Sequence, residues 1–246
     1  MNKVFPYNEE VETLLNKAKK YFHLSMNGIA AEKMASLGYK LNYGVPIMRI
    51  KEISAEFPSN PLFVEHAWWS GCRELMILAS FLLEKDMNKN DLQKDKIEEF
   101  ASQLFNIELC EQFSKNFLSK ISYIDNQGND RSCQKSQEVS KLLISRREQS
   151  NSKYLIATGY INLANLLLTK AEYDSQFDES IQPYILKDAY DNSYVIYNSL
   201  SSFLRIKARK YPKEMEQFIQ QLDLSKGSSV RYIFEEVNTE LKYGTI

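Results

Sequence analysis

Apolar residues return every three to four positions along almost the whole chain. Near the C-terminus, Val230, Ile233, Phe234, Val237 and Leu241 fall at i, i+3, i+4, i+7 and i+11, while Arg231, Glu235, Glu236 and Glu240 take the other positions. This spacing predicts a helix that covers a core on one side only. Ile97, Phe100, Ala101, Leu104 and Phe105 repeat it, as do Cys110, Phe113, Phe117 and Ile121. Residues 73–83 and 154–168 are apolar nearly all round, which predicts helices buried between layers of other helices. Start signals accompany the runs. Asn60 precedes Pro61, Asp91 and Asn106 stand ahead of periodic stretches, and Pro46, Pro183 and Pro212 are placed to open helices. The reading gives about a dozen helices.

Composition sharpens this to an all-α fold. Only 8 Gly and 6 Pro occur in 246 residues, too few for a chain rich in turns and hairpins. Both buried stretches carry an Ala ahead of a Leu-Leu run, and helices pair at modest intervals. These echoes predict degenerate repeats of antiparallel helix pairs stacked into a superhelical solenoid, one helical domain over residues 1–246. Residues 122–132 are polar and interrupt the helical pattern. Their Asp and Asn residues lack the order of a calcium loop, so an exposed turn is expected.

Charge adds a second pattern. The net formal charge is −1, so any nucleic-acid surface must be segregated rather than global. Residues 131–153 hold six basic and two acidic side chains, and residues 205–213 hold five basic and no acidic ones. Between them, residues 172–191 hold six acids and one lysine. Arg205 and Arg209, four apart, share a helix face and suit successive phosphates.

Other chemistry is thin. Cys72, Cys110 and Cys133 form no CxxC pair, and His23 and His66 have no metal-ligand spacing. Neither a metal nor a cofactor is expected. No Gly-rich phosphate loop or GxSxG elbow occurs. The first ten residues have no apolar signal core, and the longest apolar run is too short for a bilayer. A soluble cytoplasmic protein is expected.

Several short motifs, in order, carry a family resemblance. Leu41-Asn-Tyr-Gly-Val-Pro46 followed by Arg49, then His66-Ala-Trp-Trp-Ser-Gly-Cys-Arg-Glu74, then Leu204-Arg205 through Lys210-Tyr-Pro212, resemble segments of the DNA alkylation repair family. The resemblance implies HEAT-like helical repeats with a concave basic face that holds DNA. It also implies a glycosylase that releases cationic alkylated purines: tryptophans contact the lesioned nucleotide, an Asp stabilises positive charge growing on the sugar, and an Arg helps hold the backbone.

This chain departs at those positions. Ile107 stands for a Trp, Glu111 for the Asp, Ala157 for the Arg and Ser202 for a second Trp; Tyr154 keeps an aromatic place. Losing two aromatic plates removes stacking and cation–π attraction of ~1 kcal/mol or more each. Glu111, with Glu108 one turn away, is the remaining catalytic candidate; Lys115, four residues on, makes an exposed ion pair the alternative. The expected partner is duplex or distorted DNA, held by Arg146, Arg147, Lys153, Tyr154, Arg205, Arg209 and Lys210, with base excision lost or altered. An alkylpurine glycosylase relying on Glu111 and a HEAT-like scaffold for a protein partner are the alternatives. Trp68 and Trp69 are expected at the core and its rim, and Glu74 to need a buried partner, with Arg49 a candidate.

Overall fold

The structure is a computed structural model that describes residues 3–86, 94–125, 127–148 and 151–244. Among these residues there are thirteen α-helices and no β-strand; the only extended pairings are two isolated bridges. None of the described helices is long and apolar enough to cross a membrane. The chain forms two compact units, Met1–Phe117 and Leu118–Ile246.

The first unit holds α1 (Glu9–Leu24), α2 (Gly28–Ser36), α3 (Ile47–Ser54), α4 (Pro61–Trp68), α5 (Arg73–Asp86), α6 (Lys94–Ala101) and α7 (Ile107–Asn116). The expected caps at Asn60 and Asn106 are present. Each side chain accepts a backbone N–H of its own first turn, from Phe63 and Glu108 respectively. Pro46 is the residue before α3 rather than its first. The start expected at Asp91 lies outside the described residues. Helix α5 is the spine of this unit and packs against α3, α4 and α7. Its run from Arg73 to Ser80 is buried on every side, as an all-round apolar sequence requires. Trp68 is fully buried with its indole N–H donating to Phe100 O at 2.9 Å, and Trp69 sits at the rim.

In the second unit, α8 (Ser132–Ser145) runs antiparallel to α9 (Ser152–Thr169). Asn162 donates to Ser136 Oγ and Ser140 Oγ, while Gly159 lies against Ile144. A Cβ at Gly159 would fall 2.6 Å from Ile144 and 2.7 Å from the Ser140 carbonyl, so this crossing needs glycine. Next come α10 (Gln182–Ala189), α11 (Tyr194–Lys210), α12 (Pro212–Gln220) and α13 (Ser228–Tyr243). Tyr160 stacks on Phe203 and Lys210 Nζ donates to Leu167 O, so α9 and α11 run in the same direction. Tyr232 meets Asn198 and Glu240 meets Arg209, so α13 runs with them. Three parallel helices, each preceded by a partner helix, form the repeating layer that HEAT-like helix pairs produce.

One sequence expectation changes. Glu240, assigned by periodicity to the outer face of α13, is buried, because its carboxylate is enclosed by two guanidinium groups. The exposed turn expected between residues 122 and 132 is present: Ile124 bridges Asp130, and Asp125 accepts the N–H groups of Gln127 and Asn129.

Candidate functional site

The motif residues of the first unit form one buried network. Gly44 has φ +67°, and a Cβ there would fall 2.3 Å from Asn27 O, so only glycine lets the 41–46 loop approach α2. Glu74, with no exposure, accepts the N–H groups of Tyr43 at 3.0 Å and Val45 at 3.2 Å. Its ionic partner is Arg73, at 2.9 Å. The expectation of Arg49 is corrected: that side chain lies on the surface with Ser25 and Glu52. Arg73 also donates to Val45 O at 2.8 Å, so the pair clamps both sides of the loop.

Glu108 completes this network. It receives Arg73 Nε at 2.8 Å and Nη2 at 2.6 Å, a bidentate pair, and the Tyr39 hydroxyl at 2.8 Å. Burial and the Glu108 carboxylate push the Tyr39 phenol far up, which keeps it a donor. Burial lowers Arg73 and the two glutamates more than offset it, so the guanidinium stays charged. Both Glu108 oxygens are therefore engaged in holding the fold. Glu111, one turn on, is exposed. Neighbouring protein that displaces part of its solvent, together with the charge of Glu108, pushes its carboxyl up, and Lys115 opposes the shift.

The other substituted positions have different surroundings. Ile107 is half-buried as the first residue of α7, and Ala157 is fully buried in α9, where an arginine side chain has no room without repacking. Ser202 is exposed and donates to Asn198 O at 3.0 Å.

The seven residues expected to bind DNA all lie in the second unit and form two groups. Arg146 and Arg147 follow the end of α8, and Lys153 and Tyr154 lie in the first turn of α9. Arg146 and Lys153 are exposed, and the Lys153 ammonium lies 5.0 Å from the Tyr154 ring centre. Arg147 instead makes a two-pronged pair with buried Asp188, at 2.7 and 2.9 Å, and Tyr160 donates to the same carboxylate at 2.6 Å. Hydrogen bonding to Asp188 holds the Arg147 guanidinium charged.

Arg205, Arg209 and Lys210 occupy the last turns of α11. Arg205 pairs with Glu236 at 3.0 Å and Glu240 at 3.2 Å, and Arg209 pairs with Glu240 at 2.5 Å. The hydrogen bond from Arg209, then that from Arg205, draws the Glu240 carboxyl below its ordinary range. Lys207, on the inner side, is buried between Asp178 and Glu214. The two groups do not meet at one point. Because α9 and α11 are parallel, and Lys210 reaches Leu167, the second group lies about fourteen residues along the layer from Lys153, ~20 Å at the helical rise.

One juxtaposition had no signal in the sequence. His23 and His66, distant in the chain, line the same pocket of the first unit, with Lys19, Asn42 and Tyr43.

No protein-family model matches the sequence, and no curated protein matches it. A solved structure aligns with 93% of this chain and 94% of its own, at a TM-score of 0.65 and 13% identity. That protein is described as “A new family of proteins related to the HEAT-like repeat DNA glycosylases with affinity for branched DNA structures”. The likeness shows that this chain has that all-helical, HEAT-like fold.

Proposed function

We propose that this protein binds branched or otherwise distorted DNA through its second unit and does not excise bases. The observation that carries this reading is the shared fold along nearly the full length of both chains, with a protein described as having affinity for branched DNA. The two basic groups support it. Arg146 and Lys153 offer exposed charge at one end of the α9–α11 layer. At the other end, Arg205 and Arg209 keep about two fifths of their side-chain surface exposed, 41% and 42%, while Glu236 and Glu240 hold two nitrogens of Arg205 and Glu240 holds one of Arg209. A guanidinium has five N–H donors, so an edge anchored by Glu240 leaves others for a phosphate oxygen. Anchoring reduces the ordering cost of that contact, but Glu236 and Glu240 also cancel charge. Salt dependence should therefore be shallower than six free cations would give.

Loss of excision is supported by the retained carboxylates. Glu108 is fully engaged by Arg73 and Tyr39. The raised carboxyl of Glu111 works against the charged form that must stabilise growing positive charge.

The test is fluorescence anisotropy on a four-way junction and a linear duplex of the same sequence, across a salt series. The junction should bind more tightly. Arg146→Gln with Lys153→Gln should lower the slope of log K against log salt by about two. Equal affinity for both DNAs, or an unchanged slope, would overturn the proposal. Release of an alkylated base by the wild-type chain, lost in Glu111→Gln, would instead establish the glycosylase reading.

A further inference from the structure

A pocket of about 430 Å³ opens in the first unit, within the ~300–1,000 Å³ span of small-molecule sites. Leu15, Lys19 and His23 line it from one stripe of α1, at i, i+4 and i+8. His66 and Ser70 contribute from the end of α4, and Leu41 to Tyr43 from the glycine loop. Leu15, Leu41 and Leu75 give aliphatic walls, and Tyr43 presents a ring in edge contact with His23, at 4.9 Å between centres. His66 is backed by Phe5 at 4.1 Å, and burial holds its imidazole toward the neutral form.

The polar groups narrow the ligand. Asn42 donates from Nδ2 to Tyr39 O at 3.3 Å, and its Oδ1 is buried with no partner. A buried acceptor without a donor is costly, and a turn of this amide would offer the oxygen to an N–H in the pocket. Lys19 is exposed, and among the described residues no carboxylate lines the pocket itself, although Glu12 and Glu65 act on His66, and Glu74 on Tyr43, from outside the lining. An anionic group is therefore favoured beside Lys19 itself. Cys72 lies at the floor, but burial pushes its thiol up to about 11, so it is not a nucleophile there.

We propose that this pocket binds one unpaired nucleotide: a heteroaromatic base between the leucine walls and the Tyr43 and His66 rings, an N–H donated to Asn42, and the phosphate beside Lys19. A free mononucleotide and an unpaired nucleotide within a strand present the same chemistry. Only the second source rests on the DNA-binding reading, so free-nucleotide binding stands even where junction binding fails.

The probe is 2-aminopurine, followed by its fluorescence on titration with the full chain. It is supplied as the deoxynucleoside 5′-monophosphate, as a single 2-aminopurine in a single-stranded oligonucleotide, and in a duplex opposite thymine. Saturable change with the monophosphate supports a free ligand; change confined to the single strand supports a strand-borne one. Leu41→Trp, at an exposed wall position, should weaken either signal about tenfold, and Asn42→Leu about fivefold. Lys19→Gln should weaken the monophosphate about threefold. Helical circular dichroism and the melting midpoint of each variant must match wild type for the comparison to count, and Lys19→Gln, on the surface, keeps the test sound where Asn42→Leu misfolds. No saturable signal with either unpaired probe, affinity unchanged by Leu41→Trp and Lys19→Gln, or equal binding of the paired duplex would overturn the proposal.

Discussion

The two units place the arginines of their carboxylate networks in opposite ways. In the first, Glu74 and Glu108 enclose Arg73, which is 4% exposed, and the group closes a loop against a helix start. In the second, Asp188 and Glu240 are buried while their arginines remain partly in solvent. An inward arginine can only hold structure. An outward one, fixed along one edge, can hold structure and still meet a ligand. The difference separates charges that build this fold from charges available to act on something else.

Breaking the inward network should have the largest effect. Arg73→Met leaves Glu74 and Glu108 without their cation in a buried setting, and should cost about 3–5 kcal/mol in urea unfolding. A loss below ~1 kcal/mol would mean that water enters the site and that the network is not what fixes the loop.

Arg147→Ala should come next, at about 2–4 kcal/mol, because Asp188 retains only the Tyr160 hydroxyl among its hydrogen bonds here. Asp188→Asn in the same background should recover part of that loss, which a denaturation midpoint would report.

Glu240→Gln probes the outward arrangement directly. It should lower stability by about 1–2 kcal/mol and raise affinity for junction DNA severalfold, since two guanidinium groups lose a counter-charge. The depressed Glu240 carboxyl also sets a pH dependence. Its stabilisation is present above the unfolded carboxylate pKa, ~4.3, and is lost as pH falls through the lower folded value. The variant should therefore be less sensitive to acid between those limits than wild type.

The smallest effect belongs to Glu111. Its carboxyl is pushed up, so the folded state holds the proton more tightly than the unfolded state, and stability falls as pH rises through that window. Glu111→Gln should be within about 0.5 kcal/mol of wild type at neutral pH, on the stable side. The gap should close as pH drops below the unfolded carboxylate value.

Much of the fold was legible from residue spacing. The all-round apolar pattern of residues 73–83 marked α5 as a buried helix, and the periodicity of residues 230–241 placed α13. The Asn60 and Asn106 caps are single-residue signals with local causes. Local rules failed where a side chain's role depended on a distant partner. Glu240 looked exterior on a helical projection, because nothing in α13 reveals the two arginines of α11 that enclose it. Glu74 needed a cation, and the structure supplies Arg73, its neighbour in sequence, rather than Arg49. Counting basic residues along the chain marked the right segments as charged but could not show that Arg147, Arg205 and Arg209 already have carboxylate partners.

Helix formation follows from interactions between residues three or four apart, so the sequence by itself determined the helices, their buried stripes and the all-α class. Charge pairing and pocket formation join residues that only packing brings near: Arg147 meets Asp188 across 41 positions, and His23 meets His66 in one pocket. Tertiary structure therefore decided which acids remain exposed, which arginines keep donors in solvent, and which residues line a common cavity.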